Sequence, residues 1–121
     1  MPGRLDGYYL ARYEGLNDDS RWGFGHVFLK DGLVYGGDGL SAFVGEFTDG
    51  GNVMTARVKV FPLACAYHSI TGYDDKPWSL PDIRGAVAEG PLPPNVELRL
   101  DGQRYDTHHA MSVMLRRVAI F

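Results

Sequence analysis

The sequence predicts an all-β chain folded as a closed barrel of about eight antiparallel, up-and-down strands, with at most a short helical turn. Three observations predict it. The dipeptide Asp-Gly occurs five times, at Asp6-Gly7, Asp31-Gly32, Asp38-Gly39, Asp49-Gly50 and Asp101-Gly102. Both residues tolerate the positive φ that a tight type I′ hairpin turn demands. Between these turns lie short runs of period-two patterning, the mark of half-buried strands. No internal repeat, charge block or long helical pattern interrupts them. Sequential hairpins favour a meander over a two-sheet sandwich, and closing the meander removes exposed sheet edges. An interior of eight strands is either filled by side chains or holds one small ligand. An interior packed with Phe and Leu would exclude any cavity function.

The elements follow in order. Gly7 to Tyr13 can present Tyr9, Ala11 and Tyr13 on one face, although the pattern does not say which face points inward. Phe24 to Lys30 sets Phe24, His26 and Phe28 against Gly25, Val27 and Leu29, so both faces are largely apolar. Leu33 to Gly37 is short and follows the Asp31-Gly32 turn directly. Ala42 to Thr48 places Phe43, Gly45 and Phe47 opposite Val44 and Glu46. Val53 to Val60 is the clearest one-sided strand, with Met54, Ala56, Val58 and Val60 opposite Val53, Thr55, Arg57 and Lys59. Asn95 to Asp101 is equally clean, with Val96, Leu98 and Leu100 on one side. Leu63 to Tyr73 reads as a short helical turn or a loop over the barrel mouth. Trp78 to Glu89 contains Pro81 and Gly85, so it is an edge strand or a bent one. Ala110 to Phe121 fits both strand and helix spacing; its Val and Ile content favours a strand.

Composition sets the boundaries of function. The 121 residues, 45% hydrophobic and 12% aromatic, fit one domain over 1–121 and exclude disorder. The 16 glycines show no every-third-residue period, which excludes collagen. Twelve basic against fifteen acidic residues give a net charge of −3, without the basic excess of a nucleic-acid binder. The lone Cys65 argues against a disulfide scaffold. The segment MPGRLDGYYLARYEG holds no signal-peptide core, and no apolar run approaches the ~18 residues of a membrane span. A cytoplasmic chain without nucleic-acid or membrane partners is the expectation.

The chemistry-bearing residues point away from catalysis. Cys65-x-x-His68 has half the spacing of a zinc site but no second pair, and the adjacent His108 and His109 would face opposite sides of a strand. With His26 they read as structural or loop residues, so neither a metal nor another cofactor is expected. Ala64-Cys65-Ala66 reads as a packed segment, not a nucleophile. Asp18-Asp19, Asp74-Asp75 and Asp82 read as solvated turn residues. No nucleophile elbow, metalloprotease helix or phosphate loop is present, and Gly23-Phe24-Gly25 and Gly36-Gly37-Asp38 are wrongly placed for a dinucleotide fingerprint. Of Arg116-Arg117, within an apolar strand, one faces inward or lies at a rim, where an ion pair or a ligand carboxylate would meet it. The aromatic load, Tyr8 and Tyr9 through Trp78, suits core packing, an apolar ligand cavity or a self-association surface.

The placement of the glycines resembles the GrlR-like family of negative regulators of type III secretion and their bacterial relatives. The carriers are Gly7-Tyr8-Tyr9, Gly23-Phe24-Gly25, Lys30-Asp31-Gly32, Gly36-Gly37-Asp38 and Phe43-Val44-Gly45, where the family usually has an aromatic residue before its glycine. The likeness runs from about Gly7 to the C-terminus and is strongest in the first half. It implies a lipocalin-like barrel, often a homodimer, and action by holding back a transcriptional activator. The regulator that names the family carries an alternating Glu-Asp run after its fourth strand. Thr48-Asp49-Gly50-Gly51-Asn52 stands there in this chain, a plain turn with one acid, so the fold carries over better than the partner.

Two functions follow as expectations. The first is a non-enzymatic regulatory module that binds a protein partner, such as a transcriptional regulator, as a homodimer. The alternative is a carrier or sensor of a small apolar, lipid-like ligand. Tyr9, Tyr13, Phe28, Phe43, Trp78 and Arg116 are the candidate contact residues for ligand or partner.

Overall fold

The computed structural model describes residues 3–15, 22–39, 41–62, 67–69, 72–74, 77–105 and 110–120. Ten strands follow in chain order: β1 (Gly7–Gly15), β2 (Trp22–Lys30), β3 (Leu33–Gly37), β4 (Ser41–Asp49), β5 (Val53–Pro62), β6 (Tyr67–Ser69), β7 (Gly72–Asp74), β8 (Trp78–Ala86), β9 (Glu97–Gln103) and β10 (Ala110–Ala119). Eight of them close into an antiparallel barrel in the order β1-β10-β9-β8-β5-β4-β3-β2. Strands β6 and β7 pair only with each other, a hairpin spliced between the neighbours β5 and β8. No described residue is helical. The helical turn expected within 63–73 is therefore replaced, where that span is described, by β6 and the start of β7; residues 63–66 and 70–71 lie outside the described set.

Alternation in the sequence becomes inside and outside. Tyr9 and Ala11 of β1, Val27 and Leu29 of β2, and Val34 of β3 are buried. So are Met54, Ala56, Val58 and Val60 of β5, Leu98 and Leu100 of β9, and Met111 and Leu115 of β10. The face of β1 that turns inward is thus the Tyr9, Ala11, Tyr13 face. Outward positions carry the charges: Arg57 and Lys59 on β5, Arg84 on β8, Glu97, Arg99 and Asp101 on β9, all exposed. Over β5, β8 and β9 the inside is apolar and the outside charged, the reverse of porin-type barrels.

Asp31 and Gly32 have φ of 53° and 80°, so the two-residue loop from β2 to β3 has the left-handed geometry of a type I′ turn. Asp49-Gly50 opens the turn into β5, and Asp38-Gly39 lies in the connection from β3 to β4. The other two Asp-Gly pairs are not hairpin turns. Asp6-Gly7 leads into β1, and Asp101-Gly102 sits inside β9 with Gly102 paired to Met111. Asp-Gly permits a turn without requiring one, because pairing on both sides can hold it extended.

Strand β8 is central, between β5 and β9, so the edge-strand alternative falls and the bent one holds. Ala56 pairs with Ile83 and Val58 with Leu80, which leaves Pro81 and Asp82 together opposite Arg57. That extra residue is a β-bulge, and it absorbs a proline that could not donate to a regular ladder. It also resets the alternation, so that Trp78, Leu80 and Ile83 all point to the core. Ala110–Ala119 is a strand, with its helical spacing unused.

Candidate functional site

The barrel is not filled. A cavity of about 320 Å³ runs through it, walled by Val27, Leu29, Val34, Met54, Val58 and Leu80 among others. It lies within the ~300–1,000 Å³ range of small-molecule sites. The void follows from what the strands turn inward. Many inward positions carry Ala, Val or Gly: Ala11, Val27, Val34, Gly45, Ala56, Val58, Val60 and Val113. At Gly45 the backbone itself demands the small residue, since a Cβ there would lie 1.9 Å from the carbonyl oxygen of Arg57. Several bulky rings, by contrast, point away from the cavity.

The two ends of the barrel differ. One end, called the mouth, brings together Tyr13, Gly23, Phe24, Asp38, Gly39 and Ser41, all of which line the cavity. Gly39 is exposed, so the lining reaches the surface there. The Tyr13 hydroxyl donates to the Asp38 carboxylate, with the Phe24 carbonyl as a second acceptor at 3.1 Å. The other Asp38 oxygen accepts from the Ser41 backbone N–H at 2.7 Å. A polar rim thus tops an apolar shaft.

The opposite end is closed. Arg117, 3% exposed, donates to four carbonyls: Pro94 at 3.0 Å, Pro93 at 2.9 Å, Arg4 at 2.7 Å and Asp6 at 3.2 Å. Tyr9, fully buried, donates from its hydroxyl to the Leu5 carbonyl at 2.7 Å. Burial pushes the Tyr9 phenol pKa up, while the neighbouring Arg117 charge pulls the other way. Arg4 ties the same plug to the β4–β5 turn through a bidentate contact with Asp49 at 2.6 and 2.9 Å. That contact holds the Asp49 carboxyl below its ordinary value, against a smaller opposing effect of burial.

The six expected contact residues divide. Tyr13, Phe43 and Trp78 line the cavity. Tyr9 faces inward but belongs to the plug at the closed end. Phe28 faces outward, stacked on Tyr35 at 5.7 Å between centroids and packed on Tyr8 at 4.6 Å. Arg116 is exposed on the outer wall; the inward arginine of the pair is Arg117, and it meets carbonyl groups, not a carboxylate. Continuing the alternation of Met111, Val113 and Leu115 by one step reaches Arg117, a signal the sequence already held. Two further features emerge only in three dimensions. Arg104, 4% exposed, lies with its guanidinium carbon 4.4 Å from the centroid of the Trp78 ring. The Trp78 indole N–H is buried with no hydrogen-bond partner among the described residues.

The outer wall holds a second cluster. Tyr8, Phe28, Tyr35 and Val44 form one cross-strand row over β1, β2, β3 and β4. His26 stands beside it, edge-on to Tyr8 at 5.8 Å and to Phe28 at 5.9 Å. Leu10, Phe24, Leu33, Tyr35 and Val44 are each more than 40% exposed on this face.

Among the described residues, no three His, Cys, Asp or Glu side chains gather as a metal site would require. Cys65, His108, His109, Asp18, Asp19 and Asp75 lie outside the described residues, as do the side chains of His68 and Asp74. No helix among the described residues is long and apolar enough to cross a membrane. The chain matches no protein-family model and no curated protein sequence.

Proposed function

We propose that this protein binds one small apolar molecule inside its barrel, as a carrier or a sensor. The observation behind this reading is the 320 Å³ cavity with aliphatic walls and a polar rim at one end only. Such a site removes an apolar ligand from water at about 25 cal/mol per Å² of buried surface, and its walls are already held in place by the barrel. N-phenyl-1-naphthylamine, whose fluorescence rises on leaving water, tests it. Saturable binding at one site per chain is expected, with Ala56→Phe abolishing it while the far-ultraviolet circular dichroism stays unchanged. No binding, or binding indifferent to Ala56→Phe, would overturn the reading.

The outer wall favours a second, compatible reading. Clustered exposed rings and aliphatic side chains on one side of a barrel mark a protein-contact surface. We assign that face to pairing with a second copy of the chain, as the resemblance to GrlR-like regulators also implies; a regulatory partner would then meet the dimer. Light scattering at micromolar concentration should report a dimer that Tyr35→Lys converts to a monomer. A monomeric wild-type protein would remove this reading and leave the cavity untouched.

A further inference from the structure

We infer that the cavity ligand is neutral, carries one carbonyl-type acceptor, and receives a hydrogen bond from the Trp78 indole N–H. This inference rests on the cavity-binding reading and names its ligand class.

Trp78 is 7% exposed, lines the cavity, and buries an N–H that has no partner among the described residues. Buried donors are nearly always satisfied, because burial strips a donor of its bond to water and only an acceptor makes that good. An indole has a donor and no acceptor, so only an acceptor satisfies it. Its cross-strand partner Val60 and the next inward residues of its own strand, Leu80 and Ile83, offer no side-chain acceptor. The guanidinium of Arg104 over the ring face draws electron density from the indole and sharpens the N–H as a donor.

Charge decides what kind of acceptor fits. Of the described cavity-lining residues the only ionisable carboxylate is Asp38, at the mouth, and none is Lys or Arg. An anionic headgroup would lose its hydration with no Lys or Arg among the described lining residues to replace it, since the nearby Arg104 guanidinium is already engaged over the Trp78 ring. A ketone, ester or amide carbonyl supplies the acceptor without that cost.

Benzophenone and diphenylmethane make the matched pair, differing in one carbonyl on the same two-ring frame. With wild-type protein, benzophenone should move the Trp78 indole N–H nuclear magnetic resonance signal downfield, and diphenylmethane should not. The chain has two tryptophans, Trp22 and Trp78, so Trp22→Phe identifies the signal. Trp78→Phe should weaken benzophenone roughly fivefold more than it weakens diphenylmethane, the worth of about one hydrogen bond. If both bind and the indole signal responds alike to each, or the losses on Trp78→Phe are equal, the inference fails while cavity binding stands. If neither binds the wild-type protein, cavity binding fails, and the inference with it.

Discussion

The closed end and the mouth of this barrel meet the same problem with different groups. Where strands stop, backbone carbonyls and N–H groups lose their ladder partners and must find others. At the closed end a cation is buried among carbonyls: Arg117 gathers those of residues 4, 6, 93 and 94, two of which are prolines. Arg4 does the same nearer the surface, holding the Ala88, Gly90 and Gly51 carbonyls as well as Asp49. At the mouth the linking groups are a phenol and a carboxylate, Tyr13 and Asp38, set at the rim and leaving the shaft clear. The closed end spends its polar groups on sealing. The mouth uses them on a border. The difference teaches that one barrel can be locked at one end and receptive at the other without changing its strands.

Substitutions at the two ends test that contrast. Arg117→Met is the larger. It leaves several buried carbonyls without donors, and a loss of about 3–5 kcal/mol is expected, read from the urea midpoint. Tyr13→Phe should cost only about 1 kcal/mol, because Asp38 keeps the Ser41 N–H when the phenol is gone. Equal losses from the two variants would mean that the mouth is as tightly locked as the base.

Much of the barrel was legible in the sequence. The hairpin at Asp31-Gly32 and the one-sided runs of β5 and β9 follow directly from turn chemistry and period two. Orientation was legible only where one face was polar. In β2 both faces are apolar, so nothing separated outward Phe28 from inward Val27 and Leu29. The bulge at Pro81 and Asp82 was announced by the proline, but its consequence for Ile83 needed the pairing with β5. The cavity was the least legible feature. Alternation says which residues face inward and not whether their volumes sum to the space enclosed. Small inward residues, Ala11, Gly45 and Ala56 among them, were its sequence trace. The lone indole N–H of Trp78 left no trace, since an unmade bond depends on every neighbour at once.

The seam between β1 and β10 carries one more consequence. Most strands of the barrel pair with a neighbour in the chain, but this seam joins Tyr8 to Ala119, almost the first residue to almost the last. Bringing such distant segments together costs about 2 kcal/mol more in chain entropy than closing a loop a tenth as long. The order of assembly is thereby biased: local hairpins form early and the ring is completed late, at the speed of a fold rich in distant contacts. Tyr9 and Arg117 face each other across that seam. The plug that seals the base is therefore also the clasp that fastens the ring.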